Sequence, residues 1–136
     1  MNRRVAPPSG TPAPASVRLA GREIRLAPLA ELVADRYFRE FPEDLERYGD
    51  AARAWEIHDT SYCLQWAVLE VEGSASLQRE VIWLTGVLGA RGFPLEHLAR
   101  NLELAGEVVD EQLAATGGPV AERLRSAATS VRNRAL

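Results

Sequence analysis

The sequence predicts an all-α protein, an antiparallel bundle of four to five helices behind a disordered, Pro-rich N-terminal tail. Three observations lead there. Apolar residues recur at three- and four-residue spacing over most of the chain beyond residue 27. The connections between these stretches are short and punctuated by Gly or Pro. No convincing series of strands stands beside them. A chain of 136 residues, 46% apolar and 26% charged, suits one domain with a core of its own.

Residues 1–16 include the run Ala-Pro-Pro-Ser-Gly-Thr-Pro-Ala-Pro-Ala-Ser, with too little apolar surface to offset ordering, hence the disordered tail. Residues 17–26 are open between a weak hairpin around Gly21 and the approach to a helix, and residues 27–133 form the bundle. Its first helix starts near Pro28 and sets Leu29, Leu32, Val33 and Tyr37 on one face. Phe41-Pro42 interrupts it, and a short turn ends at Gly49. The second helix starts near Asp59 or Thr60, or earlier near Asp50, and runs to Gly73. In residues 76–91, Leu77, Val81, Leu84 and Leu88 share a face between the cap Ser76 and the terminator Gly92. Residues 94–115 repeat the pattern with Leu95, Leu98, Leu102, Ala105 and Val109, Gly117-Gly118 ends the helix, and Pro119 opens a last one.

Charge is distributed unevenly. The two ends are basic and residues 26–110 acidic, and every one of the 16 cations is Arg, which reads as GC-rich coding. An acidic body excludes broad nucleic-acid binding, which needs a basic face. No stretch has the length and apolarity of a membrane span or a secretory leader, and Cys63 is alone. The expectation is a soluble protein of the reducing cytoplasm, without membrane or nucleic-acid partners.

The densest chemistry lies in Trp55, Glu56, His58, Asp59, Tyr62, Cys63 and Trp66. On a helix, His58 and Tyr62 share a face, as do Asp59, Tyr62 and Trp66. Such aromatic spacing usually marks core packing, with Asp59 as a cap; the sharper alternative is a pocket flanked by the aromatics. Two histidines and one cysteine are too few for a zinc site, and neither histidine follows a Glu at three residues. Cys63 reads as a small buried hydrophobe. No Gly-x-Ser-x-Gly turn or phosphate-binding glycine loop is present. Gly86 and Gly89, with Thr85 and Ala90, form a small-residue strip suited to helix packing or, second, to a ligand. Glu43, Asp44 and Glu46 form an acidic corner, read either as helix-dipole pairing or as a docking surface.

The stretches Phe41–Gly49, Ala54-Trp55, His58-Asp59, Gln65–Ala67, Trp83-Leu84, Ala90–Pro94 and Leu98–Leu104 resemble a group of small helical proteins from high-GC bacteria over residues 27–110. That resemblance implies no activity. The second helix, Trp83-Leu84 with Leu88 and Arg91-Gly92, and the Leu95–Val109 helix are similar to the helical cap domain of cobalamin-binding proteins. There a four-helix bundle covers the upper corrin face. Light-sensing caps place a tryptophan ten residues before a Glu-His pair; here Trp83 precedes Glu96 by thirteen. The 136 residues also hold no Asp-x-His-x-x-Gly loop, so no catalytic residue carries over.

The expected function is therefore a non-enzymatic regulatory or adaptor bundle acting on a protein partner. The alternative is a stand-alone module binding cobalamin or another tetrapyrrole through Trp55, His58, Tyr62, Trp66 and Trp83. An acid–base pair of His58 and Asp59 comes third. Val120, Leu124, Ala128 and Val131 raise the expectation of a homo-oligomer, since that face seals a neighbouring subunit as readily as its own bundle.

Overall fold

Helix begins at Leu26 and continues, with four interruptions between elements, to Ala135. The computed structural model describes Pro8 and residues 10–135, and in them a two-stranded hairpin precedes an all-α bundle of five helices. β1 (Ser16–Leu19) pairs antiparallel with β2 (Arg22–Arg25), Val17 opposite Ile24. The hairpin is thus the reading adopted for residues 17–26. Its Ala20-Gly21 turn has φ of 51° and 78°, the two positive values that a tight hairpin turn requires. Alternation puts Val17 and Leu19 inside and Arg18 outside.

The helices are α1 (Leu26–Glu40), α2 (Pro42–Tyr48), α3 (Ala52–Val71), α4 (Leu77–Ala90) and α5 (Leu95–Ala135). Local chemistry sets most boundaries. Pro42 opens α2, where its missing N–H would have no helical partner. Ser76 Oγ accepts the Arg79 N–H at 3.2 Å and caps α4. Gly92, at φ 78°, stops it. The earlier of the two expected starts holds for α3. Gly49 ends α2 at φ 85° and its carbonyl accepts the Ala52 N–H at 3.1 Å, so helix resumes at once. Asp59 and Thr60 consequently lie in mid-helix and cap nothing.

The expected end at Gly117-Gly118 is corrected. The chain breaks instead at Ala114 (φ 52°, ψ −137°), and both glycines are helical in the second arm of α5, which starts before Pro119. Gly117 serves close approach and not a turn. A Cβ there would lie 2.8 Å from Leu113 Cβ and 2.9 Å from the Val109 carbonyl oxygen. The second arm folds back on the first, pairing Arg125 with Asp110 and Arg132 with Glu103 and Glu96. The basic C-terminal end therefore meets the acidic body of its own chain. Val120, Leu124, Ala128 and Val131 are buried inside that chain, so this face is not left over for a second subunit.

Core side chains come from every long helix: Val33, Leu64, Val81, Leu102, Val108 and Leu124 are sealed from solvent. α1 packs on α3 and α5, while α4 rests on α5 and α3. Arg100 ties α5 to α1 through both Glu40 oxygens at 2.8 Å. Among the described residues no helix is long and apolar enough to cross a membrane. Half of the tail expected to be disordered, residues 1–7 and 9, lies outside the described part, and Ser16 belongs to β1. Residues 10–15 form no helix or strand, yet the Thr11 and Pro12 carbonyls meet His58 and Tyr62 of α3.

Candidate ligand-binding cleft

A twenty-residue helix brings residues three and four apart onto one side. On α3 this aligns Trp55, His58, Tyr62 and Trp66, with ring centroids 5.4, 5.2 and 5.7 Å apart in sequence order. α4 supplies the facing wall with Trp83, Leu84 and Val87. Between them lies a cleft of about 1110 Å³, within the order of size that accepts a drug-sized ligand. Trp55, His58, Tyr62, Trp66 and Trp83 all line it. The aromatic stripe is therefore a wall and not interior packing: Trp55 and Tyr62 stay half-buried, and Trp83 is 62% exposed. Trp66 does both, packing partly against the core.

The floor is polar and buried. Asp44 reaches in from α2 and is only 1% exposed. Its Oδ2 accepts from the Tyr37 hydroxyl and lies 3.0 Å from His97 Nδ1. The His97 ring in turn stacks on Phe41, centroids 3.9 Å apart. Asp44 Oδ1 is equally sealed and has no hydrogen-bond partner. Leaving a buried acceptor unmatched costs about 1–3 kcal/mol, more when it is charged. The expected acidic corner is thereby corrected. Glu43 and Glu46 stay on the surface, but Asp44 faces inward across Tyr37 of α1 and His97 of α5. Burial, then the bond to Asp44, pushes the Tyr37 hydroxyl far up and keeps it a neutral donor.

Beside Asp44 lies a second carboxyl group. Glu56 Oε2 accepts from Thr60 Oγ1 at 3.0 Å. The buried Asn101 amide, oriented to match its surroundings, places its nitrogen 2.8 and 3.2 Å from the two Glu56 oxygens. Burial outweighs these bonds and raises the Glu56 carboxyl well above the usual range. Asp59 is raised too, by burial, against the lowering effect of His58.

Most reactive groups are already engaged. His58 Nδ1 lies 3.1 Å from Asp59 Oδ1, and Nε2 lies 3.2 Å from the Thr11 carbonyl. Tyr62 donates to the Pro12 carbonyl at 3.0 Å. Residues 11–12 thus lie along the α3 rim of the cleft. Cys63 is buried, and desolvation pushes its thiol up, away from the reactive thiolate. Among the described residues no three His, Cys, Asp or Glu side chains are placed to hold a metal. Gly86 and Gly89 lie at no close helix crossing and do not line the cleft. Both are exposed; a Cβ on Gly86 would meet nothing within 4 Å, and one on Gly89 only Leu95 at 4.0 Å.

Sequence spacing groups Trp55, His58, Tyr62 and Trp66, and Trp83 enters through the cap resemblance; Tyr37, Asp44, His97 and Asn101 are missed, since they come from α1, α2 and α5 and meet only through the fold. Glu56 stands in the sequence cluster, although nothing local distinguishes it as part of the floor. Comparison with known proteins adds no assignment: no family model, no curated protein and no solved structure matches the chain.

Proposed function

We propose that the chain is a non-enzymatic binding module that holds a small, flat, largely apolar molecule in the α3–α4 cleft. One observation carries this reading: all three tryptophans of the protein line a single cleft whose buried floor presents an unmatched carboxylate oxygen. Aromatic walls with a few convergent polar groups are the usual make-up of a ligand site. Binding without turnover is supported by the engagement of His58, Tyr62 and Tyr37 in hydrogen bonds and by the buried Cys63. The lone cysteine suits a reducing compartment such as the cytoplasm.

A tetrapyrrole agrees with the cleft in volume and in its aromatic wall. Its acidic substituents do not agree with a lining that includes Asp44, Glu56, Asp59 and Glu80. A corrin rimmed by neutral amides fits better than a haem with two carboxylates. Quenching of tryptophan fluorescence by a panel of cobalamins, haem and the dyes thioflavin T and Nile red tests the proposal. Saturable one-to-one quenching by at least one compound is expected. Linear, unsaturable quenching across the panel refutes it.

A regulatory or adaptor role through a protein partner is the second reading, favoured by the exposure of Ile82 and Trp83 side by side on α4, 36% and 62%. Aromatic residues of this exposure are common anchors at interfaces. A partner retained by the parent protein and lost on Trp83→Ala, with reversal of Glu43 and Glu46 as the charge control, supports it. Retention by Trp83→Ala removes that face from consideration.

A further inference from the structure

The polar lining of the cleft is lopsided in charge. Four carboxyl groups, Asp44, Glu56, Asp59 and Glu80, border it, against Arg91 and two histidines. Arg91 acts at the Asp59 end. His97 and His58 already face carboxylates. At the floor, Asp44 meets two donors with Oδ2 while Oδ1 meets none. Glu56, half-buried, adds a second acidic group there, hydrogen-bonded to Thr60 and Asn101. The walls above are indole and phenol rings, whose faces attract cations. An anion entering this space is repelled by the carboxyl groups that border it, whereas a cation is attracted to them, and Asp44 Oδ1 among them has no protein partner to offset its charge.

We infer that the cleft selects organic cations, namely flat aromatic monocations whose charged end lies toward Asp44 and Glu56 and whose ring lies along the α3 aromatic wall. This rests on the small-molecule reading above and narrows it to one ligand class.

The test is a charge series at one pH and ionic strength on the full chain: thioflavin T as cation, Nile red as neutral dye and anilinonaphthalene sulfonate as anion, each read by dye fluorescence. Thioflavin T is expected to bind at least about tenfold more tightly than the other two. Glu56→Gln, which keeps the shape and one of the two acceptor oxygens, is expected to weaken thioflavin T by about tenfold and leave Nile red within about twofold. Asp44→Asn is the second variant, with circular dichroism confirming that it is folded. Equal affinity for the anion, or parent-like thioflavin T affinity in both folded variants, overturns the inference. If neutral or anionic dyes bind saturably and the cation does not, charge selection alone fails and the binding cleft stands. If no dye, cobalamin or haem saturates, the binding reading itself fails, and this inference with it.

Discussion

Glu56 and Glu103 respond to pH in opposite directions because one carboxyl is desolvated and the other is paired with arginine. Burial raises Glu56 in the folded chain, so the folded state holds a proton that the unfolded state has released. Stability then falls as pH rises from the ordinary glutamate range through the raised value. Asp59 adds to the same limb. Glu103 is lowered chiefly by its hydrogen bond to Arg132, and Glu40 by its bond to Arg100. Their stabilisation is present above the unfolded value and is lost as pH falls through the depressed one. Thermal unfolding should therefore show greatest stability on the acid side of neutral, and Glu56→Gln should flatten the decline toward alkaline pH. A parent melting temperature constant from pH 5 to 8, matched by the variant, would contradict this assignment. The wall residues of the cleft were legible in sequence because Trp55, His58, Tyr62 and Trp66 repeat at helical spacing on one element. The floor was not. Asp44 has the same kind of neighbours as Glu43, and only the docking of α2 against Tyr37 and His97 turns one inward and leaves the other in water.

At the scale of elements, glycine and proline signals located most helix ends but misplaced one. Gly92 behaves as a terminator, with positive φ. Gly117 carries the same sequence signal and is used differently, as the point where the second arm of α5 crosses back over Val109 and Leu113. A single sequence does not separate a glycine kept for its backbone freedom from one kept for its missing side chain. The neighbouring pair allows a direct check. Gly117→Ala should cost about 1–3 kcal/mol in denaturant unfolding through overpacking. Gly118→Ala, where a Cβ meets nothing within 4 Å, should stabilise by about 0.5–1 kcal/mol through helix propensity. Equal effects at the two sites would mean that the crossing is not as close as described. The N-terminal segment offers a second check. Thr11 and Pro12 occupy His58 and Tyr62 at the cleft rim, so a chain starting at residue 15 should show faster acrylamide quenching of its tryptophans. Unchanged quenching would remove that segment from the cleft.

At the scale of the whole molecule, the charge asymmetry that suggested an external partner is used within the chain. Arg123, Arg125 and Arg132 of the second arm pair with Glu70, Asp110, Glu96 and Glu103. Arg100 joins Glu40, Glu103 and Glu107 into one network across α1 and α5. Exposed pairs contribute little singly, and such a network mainly fixes how the helices sit against one another. Fold class and helix number could be read from periodicity because packing in a helical bundle repeats locally. The cleft could not, since it exists only where α3 and α4 diverge above a floor built by α1, α2 and α5. Its occupancy is most directly tested by following the three tryptophan indole N–H resonances while thioflavin T is titrated into the labelled protein. If the cleft is the binding site, Trp55, Trp66 and Trp83 shift together and saturate at one equivalent, the dye lying along the wall they share. A saturating dye that leaves Trp55 and Trp66 unmoved and perturbs signals elsewhere would contradict the assignment.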